Sequence, residues 1–415
     1  MNSSNTPDIG SLQVAVYATD IGKPINNAQV RITLFNERQP VIEELQTDIS
    51  GQTQLVELPA PPLEYSQQPN EPQPYSEYDV SVVFEGYKPA IIQGVQILPD
   101  SIAYQNVNLF PLEVPGEPVE SIDIEAHTLY GTFPPKIPEE SVKPLPESKG
   151  FVVLPKVVVP EYVVVHAGVP TNNRAPNYWI PFTDYIKNVA SCEIYSTWPD
   201  STIRANVLAI ISFTLNRVYT EWYRGKGYYF TITNSTAYDQ AFVYGRNIYR
   251  NISNIVDQIF TTFVTKPDIK QPLFTQYCDG SRSSCPGWLS QWGSKELGQR
   301  GYTPINILKY YYGQEIFLLD AEKVEGVPIS YPGTPLRVGS RGANVRTIQL
   351  QLNAISNNYS AIPKLRVDGI YGPLTKKSVE TFQRIFRLPV TGIVDYATWY
   401  QISNIFVAVT KLAEL

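Results

Sequence analysis

The sequence predicts a multidomain chain: an N-terminal all-β sandwich, a central α+β unit and a C-terminal unit of three helices. Three observations predict it. Residues 10–112 alternate apolar and polar at period two. Residues 161–325 mix one strand-like run with helical spacings. Residues 335–405 hold three amphipathic helical runs. With 415 residues, two to four domains are expected.

In the first unit LQVAVYA (12–18), AQVRITLF (28–35), YDVSVVFEGY (78–87) and YQNVNLFPL (104–112) read as strands. Turn signals separate them: Gly22-Lys-Pro, Asp48-Ile-Ser-Gly51 and the Pro-rich stretch 59–74. The spacing suggests a small antiparallel sandwich. Residues 113–160 hold nine prolines and read as an extended, irregular linker. His127 lies in it as a surface or packing residue.

In the central unit VVVHAG (163–168) is a strand, and its His166 is expected to be structural. PFTDYIKNVASCEI (181–194) is a short amphipathic helix. A second begins near Thr197-Trp-Pro-Asp200, where Thr precedes an acid by three and Pro sits in the first turn. It runs to about Trp222 with Val207, Ile210, Ile211, Leu215 and Val218 buried. SNIVDQIFTTFV (253–264) and TPINILKYYYG (303–313) follow, the latter stopped by Gly313. The last unit has helices over 343–355, 375–386 and 395–405.

The net charge of −6 hides an asymmetry. Residues 1–150 carry 7 Lys and Arg against 21 Asp and Glu; residues 151–415 carry 26 against 18. The basic part favours a polyanion such as a bacterial cell wall. Three Cys exclude a disulfide-framework protein. No apolar run reaches the ~20 residues of a membrane span. The opening MNSSNTPDIGSLQVAV shows no signal-peptide pattern, so export by lysis or another non-classical route is expected.

Three parts of the chain carry resemblances. G-K-P-I-x-x-A-x-V-x-I, T-D-x-x-G-Q and Y-x-V-x-x-x-x-x-G-Y resemble the carboxypeptidase-regulatory-like, transthyretin-like domain, which implies a spacer or adhesion module over 10–112. The run SQWGSKELGQRGYTPINILKYYYGQEI (290–316) follows the loop Cys278-Asp-Gly-Ser-Arg-Ser-Ser-Cys285. With the upstream PFTDYIKNVASCEIYSTWPDSTIRAN, it resembles the SpoIID/LytB family of cell-wall lytic enzymes. Residues 336–402, with LRVGSRGANVRTIQLQLN, VDGIYGPLTKKSVETFQ and TGIVDYATW, are similar to the type 1 peptidoglycan-binding domain.

The SpoIID resemblance implies a lytic transglycosylase acting on peptidoglycan glycan strands at MurNAc-GlcNAc linkages. Glu193 matches the catalytic Glu. One carboxyl group serves that chemistry: it protonates the glycosidic oxygen, then takes the proton of the muramoyl C6 hydroxyl, which closes onto C1. A hydrolase ordinarily needs a second carboxylate; Asp200, Asp239 and Asp279 are the candidates. The end of a helix and apolar neighbours both favour a protonated Glu193. Ser290, Gln291 and Trp292 match the family's S-Q-W-G as sugar-binding residues, with Tyr311 along the groove. In the peptidoglycan-binding module Asp368, Tyr371 and Gln383 are the candidate contacts.

The chain departs from the family pattern where an Arg-Thr pair is replaced by Ile211 and Ser212. The His that would complete a zinc site with the Cys pair is also missing. Two thiolates do not close a tetrahedral zinc site, so no metal and no cofactor are expected. A Cys278–Cys285 disulfide is preferred over free thiols and over a metal held by the pair. The alternative to an enzyme is a catalytically inactive wall-binding or adhesin-like component of a spore layer or phage-tail-like particle. A protein partner on an exposed sheet edge of the sandwich is a further expectation. No nucleic-acid partner is expected. The predicted location is a cell wall, spore envelope or extracellular particle.

Overall fold

A computed structural model describes residues 7–19, 22–35, 41–70, 72–113, 119–144 and 156–410. In the N-terminal sandwich β1 (Asp8–Ala18) runs parallel to β8 (Ile102–Leu109). Its other edge pairs antiparallel with β2 (Lys23–Pro24) and β5 (Val56–Ala60). The second sheet has the order β4 (Val41–Gln46), β3 (Gln29–Leu34), β6 (Ser76–Val83), β7 (Ala90–Ile97) and β9 (Glu120–Asp123). Leu12, Val14 and Val16 of the first sheet and Val30, Ile32, Val80 and Val82 of the second are buried. That is the inward half of each period-two pattern. The run AIIQGVQI escaped the strand reading because Gly94 interrupts it. Gly94 sits at φ +75° where the β6–β7 register shifts, and its N–H donates to Asp79 Oδ1. Glycine there permits a bulge rather than a break.

The Pro-rich segment is not a free linker. Residues 120–123 form β9 on the sandwich, and residues 124–144 then run along the central unit. His127 and Leu129 are buried, and Gln271 exchanges hydrogen bonds with the Lys143 backbone. The parts of that segment at 114–118 and 145–155 lie outside the described residues.

The edge of β8 is also taken, because Ile248–Tyr249 of the central unit pairs with Tyr104 and Ala103. The first sheet therefore continues into the next unit. The chain itself thus covers the edges of the sandwich at β7 and β8, and β4 remains as an outer strand.

The central unit is built around α2 (Asp200–Tyr219). Between Thr202 and Arg217 every residue except Arg204 is buried, so it is a core helix and not a one-sided amphipathic one. Its start differs from expectation too. Pro199 is the N-cap residue and no side chain caps the helix, while Thr197 donates to Ser66 Oγ. Around it pack α1 (Phe182–Glu193), α3 (Arg250–Ile259), α4 (Gln291–Gln299) and α5 (Pro304–Tyr312). The helix expected over 253–264 stops at Ile259. The run Thr262–Thr265, three β-branched residues and a Phe, instead pairs with Phe317–Asp320.

The C-terminal unit holds α6 (Ala343–Ile355), α7 (Pro373–Ile385) and α8 (Tyr396–Thr410) around Val345, Leu352, Val379, Phe382, Trp399 and Ile402. It is docked on both other units. Phe260 meets the rings of Tyr396 and Tyr400 at 5.7 and 5.3 Å. Arg387 lies over the Tyr104 ring at 4.2 Å and donates to Asn106 Oδ1. No helix among the described residues is long and apolar enough to cross a membrane.

Candidate active site

Glu193 is the last residue of α1; the chain turns extended at Ile194. The residue is buried (3% exposed). Its Oε1 accepts a hydrogen bond from the Ala241 N–H at 2.7 Å, while Oε2 is buried with no hydrogen-bond partner. Burial pushes the carboxyl above its usual range. The Lys136 ammonium, the neighbouring Tyr277 hydroxyl and the Ala241 N–H act against that rise. Tyr277 itself is pushed well above the usual phenol range, by burial and by Glu193. Its hydroxyl makes no aligned hydrogen bond, although it lies close to the Glu193 carboxyl. Two adjacent buried groups without aligned partners mark a place where a proton can be exchanged with something that enters.

Something can enter. Glu193, Gln291, Lys136, Tyr277 and Asp279 line a cleft of about 430 Å³, with Phe133, Pro134 and Pro135 forming another wall. A second cavity of about 290 Å³ shares Thr128, Phe133, Pro134 and Thr236 with it and includes Ala241 and Asn234. The two lie next to each other, the first lined by Glu193 and the second by Ala241, whose N–H donates to Glu193.

The sequence-predicted residues divide sharply. Gln291 lines the cleft, but its Nε2 is engaged with the main-chain oxygen of Glu193 at 3.0 Å, so it orients the end of α1. Trp292 is a correction. It is buried, packed on Trp198 at 5.0 Å and Tyr195 at 6.0 Å, and offers no open face to a sugar. Ser290 does not line the cleft; its Oγ caps α4 by accepting from the Gly293 N–H. The half-buried Tyr311 packs by Ser290 and Gly293 and does not line the cleft.

The candidate second carboxylates separate in the same way. Asp239 is fully buried and its carboxylate is consumed. Arg217 Nε reaches Oδ1 at 2.7 Å, and Tyr223, the Thr233 N–H and the Thr233 hydroxyl all donate to Oδ2. Arg217 also pairs with Glu139, which pairs with Lys143. This network sets the C-terminal half of α2. Asp200 is exposed on α2 and pairs with Arg204. Only Asp279 of the three lines the cleft with Glu193. Its carboxylate accepts from the N–H groups of Arg282 and Ser283 and from Arg282 Nε.

Cys278 and Cys285 are joined by a disulfide with Cα atoms 5.7 Å apart, closing the loop that carries Asp279 and Arg282. Gly280 in that loop has φ +76°, and a Cβ on it would fall 1.8 Å from Ser290 Oγ, so only glycine fits. Cys192 is buried and free. Among the described residues no group of three or more His, Cys, Asp or Glu is placed to hold a metal. His127 and His166 are both buried. The Nδ1 of His127 accepts from the Leu129 N–H; His166 bonds Asn177 and stacks on Phe230.

In the C-terminal module Tyr371 and Gln383 are corrections. Tyr371 is buried with its hydroxyl donating to the Gly392 carbonyl. Gln383 is fully buried, donating to Ile393 O, Thr391 Oγ1 and Thr398 Oγ1 and accepting from the N–H groups of Thr391 and Gly392. Both build the module's loops. Asp368 is exposed, yet its Oδ1 is engaged by Gln349 and the Ile370 N–H.

Sequence reasoning missed Lys136, Tyr277 and Arg282. Lys136 follows two prolines in a stretch that reads as connector, and no motif marks it. Arg282 and Tyr277 flank Cys residues that drew the attention, and a Tyr next to a Cys carries no spacing signal.

Residues 341–402 match the family model described as "Putative peptidoglycan binding domain"; the chain carries a peptidoglycan-binding domain there. No curated protein matches the chain. Among solved structures, the Bacillus anthracis TIE protein is similar at 12% identity and TM-score 0.19, over 25% of this chain and 17% of that one. GBS52, the minor pilin of Streptococcus agalactiae, is similar at 14% identity and TM-score 0.19, over 27% of this chain and 49% of that one. Klebsiella pneumoniae 5-hydroxyisourate hydrolase is similar at 12% identity and TM-score 0.16, over 25% and 91%.

Proposed function

We propose that this chain is a lytic transglycosylase of peptidoglycan, with Glu193 as its single acid–base group and the C-terminal domain as its wall anchor. The carrying observation is the Glu193 carboxyl: buried, raised toward its neutral form, lining a cleft, and with Oε2 unpartnered. A carboxyl raised above its usual range keeps its proton to higher pH than an exposed one and so is better placed to give it. On this reading Glu193 protonates the glycosidic oxygen and the bond to C1 breaks. The muramoyl C6 oxygen then bonds to C1, and its proton returns to the Glu193 carboxylate. No water is consumed and the enzyme ends as it began. The S-Q-W-G motif serves this site from behind, Gln291 fixing the end of α1 and Ser290 starting α4.

A second reading has one observation in its favour. Trp292 and Tyr371, expected to face glycan, are buried. On that reading the chain is a wall-binding structural component whose cleft is inert. Purified peptidoglycan incubated with wild type and Glu193→Gln separates the two. The transglycosylase reading expects 1,6-anhydromuramic ends from wild type alone, detected by mass spectrometry. Binding without new ends, on intact and denuded glycan alike, establishes the second reading.

A further inference from the structure

The segment that reads as a linker enters the cleft and is tied down on both sides of Lys136. Upstream, the Arg282 guanidinium donates to the carbonyls of Thr128, Tyr130 and Gly131. Downstream, the Ile137 N–H donates to the Ala237 carbonyl at 2.7 Å, and Gln276 bonds both the Ile137 carbonyl and the Glu139 N–H. Pro134 and Pro135 fix the backbone before it. The Lys136 ammonium donates to a carbonyl, that of Asp239, and lies 4.7 Å from the Tyr277 ring centroid. It lines the same cleft as Glu193, and the hydroxyl of that Tyr277 lies close to the Glu193 carboxyl.

We propose that Lys136 is a positioning residue for Glu193: a fixed positive charge, delivered by the clamped segment, that stabilises the carboxylate left when Glu193 gives up its proton. The inference rests on the reading of Glu193 as the acid–base group. Its logic is electrostatic. A carboxyl this deeply buried holds its proton too firmly to donate it unless a cation faces the conjugate base. The groups facing Glu193 are Lys136 from the segment, Tyr277 from the disulfide side, and Tyr185 and Cys192 from α1. Arg282 and Asp279 line the same cleft but are paired with each other, and the Lys136 attraction is the largest influence opposing the burial. Burial brings the Lys136 ammonium itself below the usual lysine range, with Glu193 and Asp239 acting against that fall and Arg217 adding to it.

The test uses the full chain as wild type, Lys136→Met and Lys136→Arg, each first checked for an unchanged thermal transition. Formation of anhydro ends on purified peptidoglycan is followed across pH. Lys136→Met keeps the stem over Tyr277 and removes the charge. It should lower kcat by about tenfold or more with little change in KM, and move the alkaline loss of activity to higher pH. Lys136→Arg should restore most of both. An unchanged pH profile in Lys136→Met, or a rise in KM alone, overturns the proposal. If wild type forms no ends, the transglycosylase reading falls. The Glu193 carboxyl is then titrated by carbon NMR in wild type and Lys136→Met, with Glu193→Gln identifying its resonance. An upward shift of its midpoint in Lys136→Met sustains the coupling; an unmoved midpoint overturns it.

Discussion

At Glu193 burial and the facing cation pull the same carboxyl in opposite directions, and burial prevails. This has a consequence for stability. A carboxyl whose folded pKa is raised holds its proton more tightly in the native state than in the unfolded one. The native state therefore loses stability as pH rises from about 4.3, the ordinary glutamate value, through the folded value. Glu193→Gln mimics the neutral form and should escape that loss. We expect its melting temperature to exceed that of wild type at neutral pH and to converge with it below about pH 4. A variant less stable than wild type at neutral pH contradicts the assignment. Asp239 plays a structural part, its carboxylate being consumed by Arg217 and three donors. Asp239→Asn should cost about 3–5 kcal/mol, because it breaks a buried pair and leaves Arg217 undercompensated. Urea unfolding measures this; a well-folded but inactive Asp239→Asn protein would instead make Asp239 the second carboxylate of a hydrolase. Glu139 provides the acid limb. Burial alone would raise its carboxyl, but Arg217 and Lys143 hold it below its usual range. Its stabilisation is present above about pH 4.3 and is lost as pH falls through the folded value.

At the scale of elements, local patterns were legible where one periodicity ruled and opaque where tertiary contacts decided. The helix expected over 343–355 spans Ala343–Ile355, because Val345, Ile348, Leu352 and Ile355 repeat at helical spacing and are buried. The strand at 262–265 was read as helix because Val264 continues the apolar pattern of α3. Its partner strand Phe317–Asp320, far along the chain, is invisible to a local window. Glu193 was legible through its setting before Trp198-Pro199. Trp292 was misread because an aromatic in a motif does not reveal which way it faces; here it fills the corner between Tyr195 and Trp198. The same distinction gives a prediction. As an N-cap, Ser290 lost to Ala should cost about 0.5–2 kcal/mol in thermal or urea unfolding. A Ser290→Ala protein of unchanged stability but weakened glycan affinity would restore Ser290 as a ligand. Gly280→Ala should be worse, since it meets both a left-handed backbone and the Ser290 hydroxyl.

At the scale of the whole molecule, the units share structure instead of hanging on tethers. Ile248–Tyr249 extends the sandwich sheet, β9 leads into the cleft wall, and the peptidoglycan-binding domain contacts both neighbours through Gln52, Tyr104, Asn106 and Phe260. The cleft and the wall-binding domain are thereby held in a set relation, which suits work on a fixed polymer. Arg387→Ala removes the stacking on Tyr104 and the bond to Asn106. We expect calorimetry to show one cooperative transition in wild type and an earlier, separate transition of the C-terminal domain in the variant. Separate transitions already present in wild type would contradict the shared architecture.

The central claim is that Glu193 breaks a glycan strand without water. The most direct measurement is digestion of purified peptidoglycan by the full chain in heavy-oxygen water, with mass analysis of the new ends. The account expects anhydro ends carrying no heavy oxygen, and none from Glu193→Gln. Heavy oxygen in the new ends, or no new ends from wild type, would contradict it.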